Sequence, residues 1–167
     1  GGLGSRIALE LASLNVKSFT VVDPDTLSVS NLQRMFYFNN KDVGCKKVNL
    51  IQDKCNLISP YSTVNSVYED SIDYVLQNDL TEFDFIFITA DAEDGTMANH
   101  IGEKLKESKI PHIIGAYWES KLIVGPLIDQ HSLTNLKEQY LKHRQNISRT
   151  PTRDFIPPSI GHSNSII

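Results

Sequence analysis

An α/β fold with a doubly wound, mostly parallel sheet is predicted by three observations. Apolar residues at helical spacing alternate with short β-branched runs along most of the chain. Within FDFIFITA, Phe83, Phe85, Ile86, Phe87 and Ile88 form the near-continuous apolar run expected of a parallel strand covered on both faces. The chain also opens on glycines that lead directly into a helical pattern.

In order, SRIALELASLN carries Ile7, Ala8, Leu11 and Leu14 at helical spacing, and SFTVVD is a β-branched strand ending in an acid. KKVNLIQDKCNLIS sets Val48, Ile51, Cys55 and Leu57 to Ile58 on a helical face that Pro60 ends. STVNSVYED reads as a strand and SIDYVLQNDL as a short helix. FDFIFITA is the buried strand, followed by a helix from about 96 to 108 and the strand PHIIGAYW. ESKLIVGPLID is a further strand, SLTNLKEQYLKHRQ an amphipathic charge-rich helix, and SRTPTRDFIPPSIGHS a proline-bearing loop. The expectation is one domain over residues 1–167, a fragment cut at its first strand and at its C-terminus. It carries a crossover segment at about 131–158, long enough by loop-length priors to be functional.

Composition narrows the function. The 167 residues are 40% hydrophobic with a formal net charge of −4, which gives a packed core but no basic field for nucleic acid. Cys45 and Cys55 lack a CxxC or Cys/His companion, so neither a disulfide scaffold nor a zinc site is signalled, and a reducing, cytoplasmic setting is expected. No apolar run reaches the about 20 residues a bilayer span requires, so no membrane partner is expected.

Gly1, Gly2 and Gly4 fit the second half of a G-x-G-x-x-G element, in which the backbone approaches a phosphate and the next helix offers its N-terminal N–H groups. Alone, they also fit a plain glycine turn. Asp23 lies 19 residues beyond Gly4, where dinucleotide-binding folds hold a ribose hydroxyl. The next stretch separates a nicotinamide site from an ATP site. DPDTLSVSNLQRM and VGCKKV add Asn31, Arg34 and Lys47, and a guanidinium and an ammonium together stabilise charge on a leaving pyrophosphate. Asp91 follows the buried strand, at the strand end where open α/β sheets bind ligands, and suits oxygen ligation of Mg²⁺.

GGLGSRIALELASLNVKSFTVVDPDTLSVSNLQR, followed by VGCKKV and ITADAEDG, resembles the ubiquitin-activating-enzyme-like adenylyltransferases, a superfamily that activates sulfur-carrier proteins and microcin-type peptides. The resemblance runs from Gly1 to about Asp91 and resumes more loosely in HIIGAYWESKLIVGPLID. It implies a Rossmann-like domain in which the C-terminal carboxylate of a peptide or small ubiquitin-like protein attacks the α-phosphorus of Mg²⁺-bound ATP. It also implies a homodimer. Carried over residue by residue, Gly2 lies under the phosphates with Gly4 behind it and Asp23 holds the ribose with Asp25 beside it. Ser30 and Asn31 border the nucleotide, Arg34 and Lys47 bind the polyphosphate, and Asp91 binds Mg²⁺. Asn31, Arg34, Lys47 and Asp91 are the residues expected to serve catalysis.

The departures are specific. Met35 stands where members often carry glutamine, and an arginine that a partner subunit contributes in related dimers would lie upstream of Gly1. Neither the zinc CxxC pairs nor a cysteine in the crossover segment is present, so zinc and thioester formation are not expected of this segment, and IVGPLID and PPSIGHSNS sit closest to the microcin-type branch.

Simpler roles stand beside these. Asp23 and Asp25 are good turn residues, Asp91 a good helix cap, and Cys45 and Cys55 small buried hydrophobes. His112 reads as packing or fold edge, Trp118 as core or interface, and His131, His143 and His162 are too scattered for a metal set. Two other functions remain open: an NAD(P)-dependent oxidoreductase, and a catalytically silent subunit paired with an active partner.

Overall fold

The computed structural model describes residues 1–90, 96–118 and 121–132. Its elements are α1 (Gly2–Ser13), β1 (Ser18–Val22), α2 (Lys47–Ile58), β2 (Thr63–Val67), α3 (Ser71–Gln77), β3 (Ile86–Ile88), α4 (Thr96–Ser108), β4 (His112–Trp118) and β5 (Lys121–Ile128). Short 3-10 turns lie at Val29–Asn31 and Asn40–Asp42. Gly1–Tyr74 form one compact unit and the described residues from Val75 onward a second. The segments predicted as an amphipathic helix and a proline-bearing loop, with His143 and His162, lie outside the described residues.

In the first unit β1 and β2 pair in parallel, from Ser18 opposite Thr63 to Val22 opposite Val67, with α2 as the crossover between them. Ala8, Ala12, Leu27, Met35, Phe38, Ile51, Cys55 and Val64 form the core. The buried seam of α1 differs from the expected one: it runs through Leu3, Ser5, Ala8 and Ala12, while Leu14 is 74% exposed. Helix α1 packs on α2, and the Cys55 thiol approaches the Ala8 carbonyl at 3.5 Å. Small side chains permit that approach where Ile7 and Leu11 would hold the helices apart. Burial pushes the Cys55 thiol up to about 11, so it packs as a hydrophobe. Cys45, by contrast, is exposed.

Helix α1 ends without a glycine. Asn15 takes a left-handed conformation at φ 56°, the Val16 N–H donates to the Leu11 carbonyl at 3.0 Å, and the Asn15 N–H donates to Ala12 at 2.9 Å. This is a Schellman closure, and asparagine is the residue that best replaces glycine in it. The Asn15 side-chain oxygen also accepts from the Ser59 hydroxyl at 2.7 Å, joining the ends of α1 and α2. On α2, Val48, Ile51 and Cys55 are buried as expected, but Leu57 is 81% exposed. At about 100° per residue, Leu57 points to the side opposite Val48.

In the second unit β4 is central, parallel to β3 (Ile86 opposite His112) and antiparallel to β5 (Ile113 opposite Leu127), with a bulge between Ile113 and Gly115. Ile88, Ile114 and Ile128 are buried, as are Ile101 and Leu105 of α4. The expectation that FDFIFITA is covered on both faces does not hold among the described residues: β3 has three residues, and Phe85 and Phe87 are exposed, their rings tilted by 52° with centroids 4.8 Å apart. An apolar run does not distinguish two covered faces from one covered and one open.

His112 is buried, 1% exposed. Its Nδ1 donates to the Ile110 carbonyl at 2.8 Å, which leaves Nε2 as an acceptor without a partner among the described residues. Burial lowers its pKa below 6.5, partly offset by the Ile110 carbonyl. Below pH 6.5 the unfolded chain therefore binds a proton that the folded chain excludes. Stability is expected to be full above pH 6.5 and to fall as the pH drops from there towards the lowered folded-state value. In His112→Leu that part of the loss, read from urea midpoints between pH 7.5 and 5, disappears.

Candidate functional site

The site grows from the N-terminus of α1. Gly1 is its cap, and a Cβ on Gly2 would stand 3.3 Å from Cγ, Cδ and the carbonyl oxygen of Arg34. Gly2 thus has a packing reason to be glycine: the Arg34 stem lies against it. The Ser5 hydroxyl donates to the Gly1 carbonyl at 2.7 Å and lies 2.9 Å from the Tyr37 hydroxyl, which then serves as donor to Ser5. Burial raises the Tyr37 pKa, which keeps the phenol protonated in that role. Gly4 lies half-buried in the first turn. The N–H groups of Gly2, Leu3 and Gly4, which precede the first intrahelical donor Ser5, and the positive helix end make this turn a natural anion seat.

Asp23 directly follows β1. Its Oδ1 accepts the Asp25 N–H at 2.9 Å across Pro24, and its Oδ2 lies 3.3 Å from the Gly1 nitrogen. The turn role expected of Asp23 is therefore present in its geometry. The following backbone is zipped to the start of α2: Lys47 N–H donates to Asp25 at 3.0 Å, Leu27 to Cys45 at 2.8 Å and Gly44 to Leu27 at 2.8 Å. Gly44 holds φ 89°, which a side chain would strain. At the end of this latch Lys47 is buried, with Nζ 2.5 Å from Asp25 Oδ2.

Asn31 closes the 3-10 turn, its side-chain oxygen accepting the Ser28 N–H at 3.2 Å. Ser30 is exposed, its hydroxyl 2.9 Å from that of Ser28, and its carbonyl accepts from Arg34 Nη1 at 3.1 Å. Met35 points the other way, fully buried in the core. Arg34 and Met35 are adjacent, yet one faces the glycine turn and the other anchors the loop that carries it.

The structure thus joins Gly2, Ser30 and Arg34 in one set of contacts and Asp23, Asp25 and Lys47 in another, with Asp23 beside Gly1. Asp91 lies outside the described residues, and no group of three metal-ligating side chains occurs among them. Sequence reasoning missed Ser5 and Tyr37, whose pairing spans 32 residues and leaves no local signal, and the Asp25–Lys47 contact. The signal for that contact is a lysine at the first position of a helix, where a cation is disfavoured and needs a nearby acid.

Gly2→Ala should leave α1 intact, since alanine favours helix, but displace the Arg34 stem. The expected result is an unchanged helical circular-dichroism signal with weakened binding of inorganic tripolyphosphate in calorimetry.

Residues 1–161 match the ThiF family. A probable molybdopterin-synthase adenylyltransferase from Gracilaria tenuistipitata var. liui is 37% identical over 96 residues, covering 54% of this chain and 26% of the relative. The molybdopterin-synthase adenylyltransferase of Escherichia coli strain K12 is 31% identical over 116 residues, covering 70% of this chain and 46% of the relative. Among solved structures, E. coli MccB with AMPCPP and MccA superposes with a TM-score of 0.79 at 20% identity, over 99% of this chain and 49% of that one. The chain therefore spans about half or less of the length of these proteins. The superposition shows that the Rossmann-like fold expected from the sequence is present, and the sequence match places the chain: it belongs to the ThiF family.

Proposed function

We propose that residues 1–167 are the nucleotide-binding domain of an adenylyltransferase. It joins the C-terminal carboxylate of a peptide, or of a small ubiquitin-like or sulfur-carrier protein, to AMP from ATP. The observation that carries this reading is the Arg34 stem packed against Gly2 at the start of α1, together with a buried lysine, Lys47, bonded to Asp25 in the segment that follows β1. In the reaction a carboxylate oxygen forms a bond to the α-phosphorus, and the bond from that phosphorus to the bridging oxygen breaks. Pyrophosphate leaves with the electron pair, and Arg34 and Lys47 neutralise the charge it gains. Asp23 takes the ribose hydroxyls, Ser30 and the amide group of Asn31 border the nucleotide, and Gly2 and Gly4 let the polyphosphate approach the backbone. No nucleophilic side chain is required, because positioning and charge neutralisation supply the catalysis.

The donor set fits a polyphosphate, and Asp91 is the proposed Mg²⁺ ligand; when bound, the ion would neutralise phosphate charge. The names of the relatives, molybdopterin-synthase adenylyltransferase and MccB with MccA, support a protein or peptide substrate, and the segment at about 131–158 is proposed to grip it. A homodimer is proposed as the working assembly, and the free thiols of Cys45 and Cys55 fit a cytoplasmic setting. Among the described residues no helix is long and apolar enough to cross a membrane.

The test is peptide-dependent exchange of radiolabelled pyrophosphate into ATP. Exchange with a candidate peptide is the expected result. ATP binding without exchange, whatever peptide is offered, would identify a silent subunit. Tight NADH binding without ATP binding would overturn the proposal in favour of an oxidoreductase, a chemistry in which Arg34 and Lys47 have no task.

A further inference from the structure

Lys47 occupies an unfavourable place for a cation. It is the first residue of α2, where the helix dipole is positive, and its side chain is only 7% exposed, so water solvates the ammonium poorly. The carboxylate that answers it belongs to Asp25, whose own side chain is 63% exposed. The same two residues are joined through the backbone, Lys47 N–H to the Asp25 carbonyl at 3.0 Å, within the latch that ties residues 25–27 to 44–47. An ammonium has three N–H donors, and Asp25 takes one.

The geometry points to Asp25 as a positioning residue. It fixes the Lys47 ammonium so that the remaining donors are offered to the polyphosphate, and it acts on the nucleotide through Lys47 rather than by touching it. This rests on the nucleotide site proposed above. The backbone tie gives the pair a reason to persist when a phosphate arrives: exchanging the carboxylate for the phosphate would leave Asp25 held beside the incoming anion by its own main chain. Sharing Lys47 between carboxylate and phosphate avoids that repulsion and leaves the lysine with one geometry instead of many.

A double-mutant cycle tests this, with calorimetry of inorganic tripolyphosphate and of ATP on the wild type, Asp25→Asn, Lys47→Met and the double variant, folding being checked by circular dichroism. Asp25→Asn is expected to weaken tripolyphosphate about tenfold and Lys47→Met at least as much. The double variant should bind no more weakly than Lys47→Met, because Asp25 has nothing left to position. Asp25→Glu should recover part of the loss, and Asp25→Asn should raise KM for ATP more than it lowers kcat. If Lys47→Met does not fold, Lys47→Gln replaces it in the same cycle. Additive losses would overturn the inference by showing that Asp25 meets the ligand or its metal itself. Tighter tripolyphosphate binding in Asp25→Asn would overturn it by showing competition, as would a wild type that does not bind tripolyphosphate. Strong coupling in a protein that supports no exchange with any peptide would sustain the inference while overturning the proposed function.

Discussion

Arg34→Ala is expected to lower peptide-dependent ATP–pyrophosphate exchange by about 10²–10³-fold, the usual cost of removing one preorganised donor from a site of developing charge. Its contribution comes from placement. The stem is wedged against Gly2, Nη1 is tethered to the Ser30 carbonyl, and the guanidinium is therefore held at the mouth of the glycine turn before any nucleotide arrives. An exposed hydrogen bond to a backbone carbonyl and the packing of the stem on Gly2 are lost in the folded protein, so stability should fall by about 1 kcal/mol. Urea unfolding beside the exchange assay separates the two effects. Asp91→Ala is expected to give a comparable loss of exchange with the fold kept; retained exchange in both variants would refute the site.

The neighbouring residue predicts the reverse pattern. Met35→Ala should destabilise the protein by about 2–5 kcal/mol, the range for truncating a buried methionine when the core cannot collapse into the space. Met35 has no exposed surface and packs among Leu27, Phe38, Ile51 and Val64, residues brought together from the loop after β1, from α2 and from β2. Its loss should appear first in the urea midpoint. Exchange measured well below that midpoint should fall much less than in Arg34→Ala. A variant with wild-type stability would show that Met35 does not anchor the loop carrying Arg34.

Much of the fold was legible because it is written at short range. Helical spacing and short β-branched or apolar runs located the described helices and strands, and Pro60 marked where α2 stops. What these patterns did not convey was which apolar side chains are covered. Leu14, Leu57, Phe85 and Phe87 look like core residues and are exposed, while Ser5 and Lys47 look like surface residues and are buried. Burial depends on the neighbouring element, and periodicity describes one element at a time.

The site divides in the same way. The sequence by itself determined the chemical inventory: a glycine turn at a helix start, an acid at a strand end, two cations and the DPD…NLQR order that sets an adenylating enzyme apart from a redox one. Spacing along the chain carries that information because β1 and α1 are contiguous and rigid. Only the tertiary structure decided that Gly2 is glycine to admit the Arg34 stem, that Ser5 is held by Tyr37, and that Lys47 is a buried cation answered by Asp25. Those contacts join residues 22 to 32 positions apart. They exist because the chain returns to the same helix end after each crossover, and such a return is fixed by the packing of whole elements rather than by any local preference.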